Sequence, residues 1–437
     1  MEWQLVLGLI LLSLIAVMAT GMPVAICFFT VNLVLTWLLW GGMAGLQQFI
    51  LSLFSSLTTF ALLPLPMFIL MGEMMFHSGI GPLMLDALDK WLGRLPGRLS
   101  ILAVGTGILF SSLTGASMTS IALLGTVLLP QMEKRGYKTP MTLGPIMGSG
   151  GLAILIPPSG LAVLLGAIGQ ISVGKLLMAI IVPGLLLAFI YGAYIIVRCW
   201  LQPHIAPPYE VAASSMSEKI AATVKYILPL GFVIFMVIGL IILGVASPTE
   251  AAATGALSLM ILTAAYRRLN WSVMKKSLAG TVRITGMIFL ILSGAKAFSQ
   301  VLSFSGATQG LIEAILAMPL SPMFVIIIMM AITFVLGMFM DVVSLMMVSL
   351  PLFVPVVRAL NFDPVWFGVL FLINVELAVI SPPFGLSLFA MKGVAPEGTK
   401  MMDIYGAALA FIVLDVIAIA LVMLFPQVAL WLPGRLQ

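Results

Sequence analysis

The sequence predicts an all-α polytopic membrane fold with inverted repeats, two re-entrant helical hairpins and broken helices, and three observations carry that prediction. Of the 437 residues, 62% are hydrophobic and 8% charged, at a mean hydropathy of +1.23. A soluble globular chain carries about 25% charged residues. Apolar runs of bilayer-crossing length recur from one end to the other. Finally, one pattern of hydroxyl and proline positions occurs twice, about 225 residues apart, a spacing read on the scale of whole repeats.

Ten spans are expected, at 4–20, 22–40, 60–77, 141–168, 177–200, 224–245, 249–266, 280–303, 364–390 and 403–427. The opening Met1-Glu2-Trp3 has no basic n-region and a second span follows at once, so 4–20 reads as a first transmembrane helix. Segment 80–98, with Leu85, Leu88, Leu92 and Leu95 at helical steps, reads as an interfacial helix. Stretches 99–133 and 322–357 are apolar but interrupted near their middles, as hairpins that enter the membrane and return on the same side would be. The chain then divides into N-terminal scaffold helices (1–59), a first repeat with its hairpin (60–200), linker and scaffold helices (201–279) and a second repeat with its hairpin (280–437).

Charge tests this layout. With the N-terminus outside, 16 of the 20 basic residues fall on or beside the inner face, Lys175, Arg358 and Arg435 fall outside, and Lys296 lies within a span. That bias holds only if the hairpins do not cross. The net charge of +5 therefore reports topology and not nucleic-acid binding. Cys27 and Cys199 lie in apolar runs and suggest no disulfide framework, and His77 and His204 form no metal motif. Gly169 to Leu176 nearly spells a P-loop but lacks the Ser/Thr after Lys175 and a preceding strand. An ion gradient is the expected energy source.

The repeat aligns Thr119-Ser120, Leu129-Pro130, Pro140 and Pro157-Pro158-Ser159-Gly160 with Ser344-Leu345, Val354-Pro355, Pro364 and Pro382-Pro383-Phe384-Gly385. Five crossings separate the two copies, so the second is inverted, the architecture of many secondary transporters. The first break, Ser111 to Ser120, carries six hydroxyls, among them Ser112, Thr114, Ser117 and Thr119. A hairpin tip at membrane depth frees carbonyls that lipid cannot bond, and a monovalent cation satisfies such oxygens. Close packing of small residues is the alternative. Each Pro-Pro pair removes two donors and stops a helix mid-membrane, beside Gly148-Ser149-Gly150-Gly151 and Asn374-Val375-Glu376 respectively. Asp341 and Glu376 are intramembrane carboxylates, which mark ion or proton pathways by default. Asp341 is either a ligand or the cap of the following helix. Glu376 either lines a cavity or pairs with another helix. Lys296 either snorkels outward or meets a substrate carboxylate, and Glu73 pairs with local loop charge.

Gly21-Met22-Pro23, Leu63 to Glu73, Ser117-Met118-Thr119-Ser120, Ile156-Pro157-Pro158-Ser159, Ser247 to Ala253, Asp341 and Ile380 to Gly385 form an ordered set over nearly the whole chain. In this set the sequence resembles the large membrane subunit, often called DctM, of tripartite ATP-independent periplasmic (TRAP) transporters. The resemblance implies a multi-pass protein of the bacterial inner membrane, an elevator-type carrier and not an enzyme. It implies import of a small organic acid with sodium as coupling ion and no other cofactor. The implied partners are a small four-helix membrane subunit, a periplasmic substrate-binding protein and the lipid bilayer. Carried over, sodium ligands fall at Ser117, Thr119, Ser149 and Gly150, and at Asp341, Ser344, Asn374 and Pro382, with Ser112, Thr114, Ser159, Glu376 and Lys296 along the substrate pathway. At Ala116 many relatives carry serine. A stand-alone sodium- or proton-coupled organic anion carrier is the alternative within carriers. A channel would need a continuous polar pore, and a membrane enzyme a convergent nucleophile and base.

Overall fold

A backbone inside a bilayer must satisfy its own amides, and the described residues are helical, without strands. The computed structural model describes residues 3–93, 95–114, 117–207 and 215–435, and of Ala61, residues 111–114 and Thr119 the backbone alone.

The first helices are α1 (Trp3–Met18), α2 (Val24–Leu39), α3 (Met43–Leu57), α4 (Pro64–Ser78) and α5 (Ile80–Asp89). Gly79, at φ 66°, lets α5 turn 76° away from α4, the bend an interfacial helix requires. Arg98, buried and bonded to the Asp89 side chain at 2.7 Å and the Gly93 carbonyl at 3.0 Å, ties this surface helix to the first hairpin. That hairpin is α6 (Arg98–Thr114) and α7 (Ser117–Lys134), which pack on each other. Helices α8 (Thr139–Leu155) and α9 (Gly160–Gly169) follow, bent by 46° across Pro157-Pro158. Then come α10 (Val173–Ala179) and α11 (Ile181–Leu201). Next, α12 (Met216–Ala222), α13 (Leu228–Ile234) and α14 (Leu240–Ile242) join through two π-helical turns into one rod.

Ser247 caps α15 (Pro248–Ala265), its side chain and that of Glu250 each satisfying the other's backbone amide. Asn270 caps α16 (Trp271–Phe304), which is followed by α17 (Ala307–Ala317). The second hairpin is α18 (Pro322–Gly337) and α19 (Val342–Ala359). A second broken pair, α20 (Pro364–Val379) and α21 (Leu386–Val394), precedes α22 (Met401–Leu424) and α23 (Gln427–Leu430).

The core lies along α8 and α20, where every residue from Met141 to Leu155 and from Val365 to Val379 is buried. The repeats pack reciprocally around it. The second hairpin arm α7 lies on α21 of the other repeat, and α19 lies on α9. Helix α15 packs on α4, and α3 on α16. Outward, Leu12, Phe54, Phe189, Val282 and Leu409 are exposed, an apolar shell suited to lipid.

Two elements depart from the expected layout. Helix α3 falls between the second and third expected spans, and α17 lies beside the second hairpin. In α3 the apolar Ile50, Leu51 and Phe54 face outward while Ser52 and Ser56 are buried, an inside-out pattern that sequence polarity reads as loop. Counted as a crossing, α3 gives eleven and reverses the side of the N-terminus, while every later basic cluster keeps its place. The span expected at 280–303 begins at Trp271, because Lys275, Lys276 and Arg283 ride on a continuous helix of 34 residues. By length and composition, five helices among the described residues suffice to cross a membrane, or up to seven with each bent pair joined. Helices α1 and α2, at 16 residues each, are slightly short of the roughly 17–25 a full crossing takes.

Candidate functional site

Both hairpins end against broken helices. In the first repeat, α6 reaches α8 where Gly107 meets the Ser149 backbone, with no room for a Cβ at residue 107. At the base of α7, the Ser117 carbonyl and Ile121 close on Gly150 in the same way. Ser117, Ser149 and Gly150 are thus brought together where α7 meets α8, with Gly107 of α6 against Ser149. The buried Ser149 hydroxyl donates to the Ile146 carbonyl at 3.0 Å. Residues 115 and 116, and the side chains of Ser112, Thr114 and Thr119, lie outside the described residues. In the break, the Ser159 hydroxyl donates to the Ile154 carbonyl at 2.8 Å and accepts from the Ala162 amide at 3.3 Å, so Ser159 both closes α8 and caps α9.

The second repeat is built alike. Asp341 accepts from the amides of Val343 at 3.0 Å and Ser344 at 3.1 Å, and from the Ser344 hydroxyl. It is the cap of α19, with its carboxylate held at the hairpin tip. Gly337, at the end of α18, sits against Ala378 of α20. Phe339 in the tip meets Phe384 in the break, ring centroids 5.6 Å apart, which sets the tip against the loop that carries Pro382. The Asn374 amide donates to the Met330 carbonyl at 2.9 Å and fastens α20 to the hairpin arm. Ser149 and Asn374 therefore occupy matching positions, each where a hairpin arm crosses its broken helix. Both Pro157-Pro158 and Pro382-Pro383 are cis peptides.

Lys296 is not a partner in either tip contact. It lies on α16, a helix that packs on α2, α4 and α19, and makes no ion pair among the described residues. Nearby, the Asn32 side chain donates to the Gly294 carbonyl at 2.6 Å, locking α2 to α16. Glu73 pairs with His77 at 3.3 Å, within its own helix. Glu376 and Ser159 are fully buried and border no open path in this conformation. Glu376 instead fills the notch left by Gly151 of α8. Beside it stand two residues that sequence reasoning passed over, Asp415 of α22 and Tyr191 of α11, the phenol donating to the Asp415 carboxylate. Asp415 carried the same signal as Asp341, an acid inside an apolar run. Tyr191 carried none.

Residues 11–428 match the family described as Tripartite ATP-independent periplasmic transporter, DctM component. The chain is 30% identical over 421 residues to the ectoine TRAP transporter large permease protein TeaC of Halomonas elongata, covering 96% of this chain and 97% of that one. It is likewise 30% identical over 393 residues to the C4-dicarboxylate TRAP transporter large permease protein DctM of Pseudomonas aeruginosa, covering 90% of each. The crystal structure of the Alcanivorax borkumensis YdaH transporter matches 94% of this chain and 98% of its own at a TM-score of 0.64. At 14% identity that is a likeness of fold. The chain therefore belongs to the family of the DctM component of tripartite ATP-independent periplasmic transporters, as a multi-pass permease of the bacterial inner membrane and not an enzyme.

Proposed function

We propose that this permease imports a small organic acid together with sodium, by an elevator movement of the two hairpins and their broken helices against the remaining helices. The observation that carries the reading is the contact of each hairpin with its broken helix pair, Ser117 on Gly150 within α8 in one repeat and Phe339 on Phe384 of the break in the other. Helix ends stopped in mid-membrane leave carbonyl oxygens that need partners, and a desolvated monovalent cation needs oxygens. The first sodium site comprises Ser117, Thr119, Ser149 and Gly150, and the second Asp341, Ser344, Asn374 and Pro382. The substrate passes between them beside Ser112 and Thr114, with Lys296 at the scaffold side. Relatives named for ectoine and for C4-dicarboxylates support an organic solute. A periplasmic binding protein delivers it, and a small four-helix membrane subunit completes the scaffold.

Equilibrium binding of radioactive sodium to the purified chain tests the sites. Saturable binding that falls at least several-fold in Ser117→Ala and in Asp341→Ala is the expected result. Binding untouched by both substitutions removes these residues from the sites.

A further inference from the structure

Where α5 meets the rod that begins with α12, a cavity of about 490 Å³ opens, within the roughly 300–1,000 Å³ of small-molecule sites. It is lined by Asp86, Asp89 and Lys90 at the end of α5, by Arg98, and by Ala222 and Tyr226 of the rod. The rod is not regular here. Residues Thr223–Ile227 form a π-helical turn, a departure from the α-helix that often marks a functional site.

Aromatic side chains fasten the two sides together. The Trp91 indole donates to the Thr223 hydroxyl at 2.8 Å, and the Lys219 ammonium lies 5.9 Å from the centre of the Trp91 ring. The Tyr266 phenol donates to the Lys225 carbonyl. Trp and Tyr gather at the head-group level of a bilayer, and Lys90, Arg98, Lys219 and Lys225 belong to the inner-face set of basic residues. The cavity therefore stands at the inner head-group layer.

Its charges are of two kinds. Asp89 and Arg98 neutralise each other at 2.7 Å. Asp86 and Lys90, one helical turn apart, form no ion pair among the described residues. Burial at the cavity wall and the neighbouring Asp89 carboxylate push the Asp86 carboxyl up from its ordinary range, and Lys90 offsets only part of that. An acid so placed gains from a cation brought to it. The Tyr226 side chain adds a hydroxyl donor.

The wall thus offers one unpaired anion and one unpaired cation, with no net charge. A metal ion or a simple anion answers only one of them. A ligand with an ammonium and a phosphate on a short link answers both, since side chains at this spacing stand about 5–6 Å apart at Cβ. A primary ammonium suits Asp86 better than a quaternary one, because it donates charged hydrogen bonds to a carboxylate. Apolar surface adjoins the lining. Trp91, Ile220, Val224 and Leu228, its neighbours in the chain, are exposed, as residues covered by lipid are.

We propose that this cavity binds the head group of an aminophospholipid of the inner leaflet, with the primary ammonium on Asp86, the phosphate on Lys90 and Tyr226, and the acyl chains over the exposed apolar residues of the rod. The assignment is independent of the ion and solute sites proposed above.

Native mass spectrometry of the full chain, stripped of lipid in detergent and then given equimolar phosphatidylethanolamine, phosphatidylcholine and phosphatidylglycerol, tests it. Phosphatidylethanolamine retained several-fold over the other two is the expected result. Asp86→Asn should abolish the preference over phosphatidylcholine, and Lys90→Gln should lower phosphatidylethanolamine retention several-fold. Both side chains are exposed, so neither substitution disturbs the packing. Equal retention of the three lipids, a preference for phosphatidylglycerol, or a phosphatidylethanolamine preference unchanged in both variants overturns the proposal. Displacement of the lipid by soluble glycerophosphoethanolamine at equal concentration also overturns it, by making the cavity a solute site. Loss of the lipid when the small membrane subunit is bound does the same, by giving the cavity to that subunit.

Discussion

Asp341 caps α19 through two backbone amides and one hydroxyl, and substitutions separate that duty from ion binding. Asparagine caps about as well as aspartate, whereas alanine loses about 0.5–2 kcal/mol. Asp341→Ala is expected to lower the unfolding midpoint of the purified chain, and Asp341→Asn to leave it nearly unchanged. Both should cut solute uptake several-fold, because both remove the negative oxygen offered to the cation. Uptake by Asp341→Asn equal to that of the parent would leave the residue with its cap alone. Gly151 is the other informative position. A methyl there overlaps the Glu376 carboxyl, so Gly151→Ala should cost about 1–3 kcal/mol by overpacking. Adding Glu376→Ala should recover part of that cost, since residues in contact do not act additively. Thermal unfolding of the two single variants and the double variant checks this, and strictly additive losses would separate the two residues.

At the scale of elements, what could be read from sequence follows the local chemistry. Proline removes a donor whatever surrounds it, so both broken helices and both hairpins were legible from Pro157-Pro158, Pro382-Pro383 and the polar tips. Helix α3 was not, because its serines serve as the packed face and its large apolar residues as the outer one. The early start of α16 was hidden by lysines that a helix carries as readily as a loop. Within the candidate site, tip and break residues were legible because their types are costly in lipid. The partnership of Glu376 with Gly151, Asp415 and Tyr191 was not, since it exists only after four helices have packed. Helix α3 also decides the sidedness of the N-terminus. A Gln4→Cys variant should react with a membrane-impermeant thiol reagent from the inner face only, its native Cys27 and Cys199 being buried. Labelling from the outer face would restore the ten-crossing layout.

For the whole molecule, the reciprocal packing of the repeats divides the helices into the two parts that the proposed elevator movement needs. Helices α6–α9 and α18–α22, gathered on α8 and α20 together with α11, form the body that we propose moves. Helices α1–α5 and α12–α17 touch it through α4, α5, α16 and α17 and bear an exposed apolar shell. The long α16, at 34 residues about 51 Å from end to end, runs beside α2, α3 and α4 and touches the second hairpin through α19. In the proposed movement the core passes this rod carrying its ions and solute together. Uptake of an organic acid into proteoliposomes holding the permease with its small subunit, with the binding protein added outside, tests this most directly. Accumulation that appears only with an inward sodium gradient, and falls several-fold in Ser117→Ala and Asp341→Ala, is the result expected. Equal uptake with and without that gradient would contradict the account.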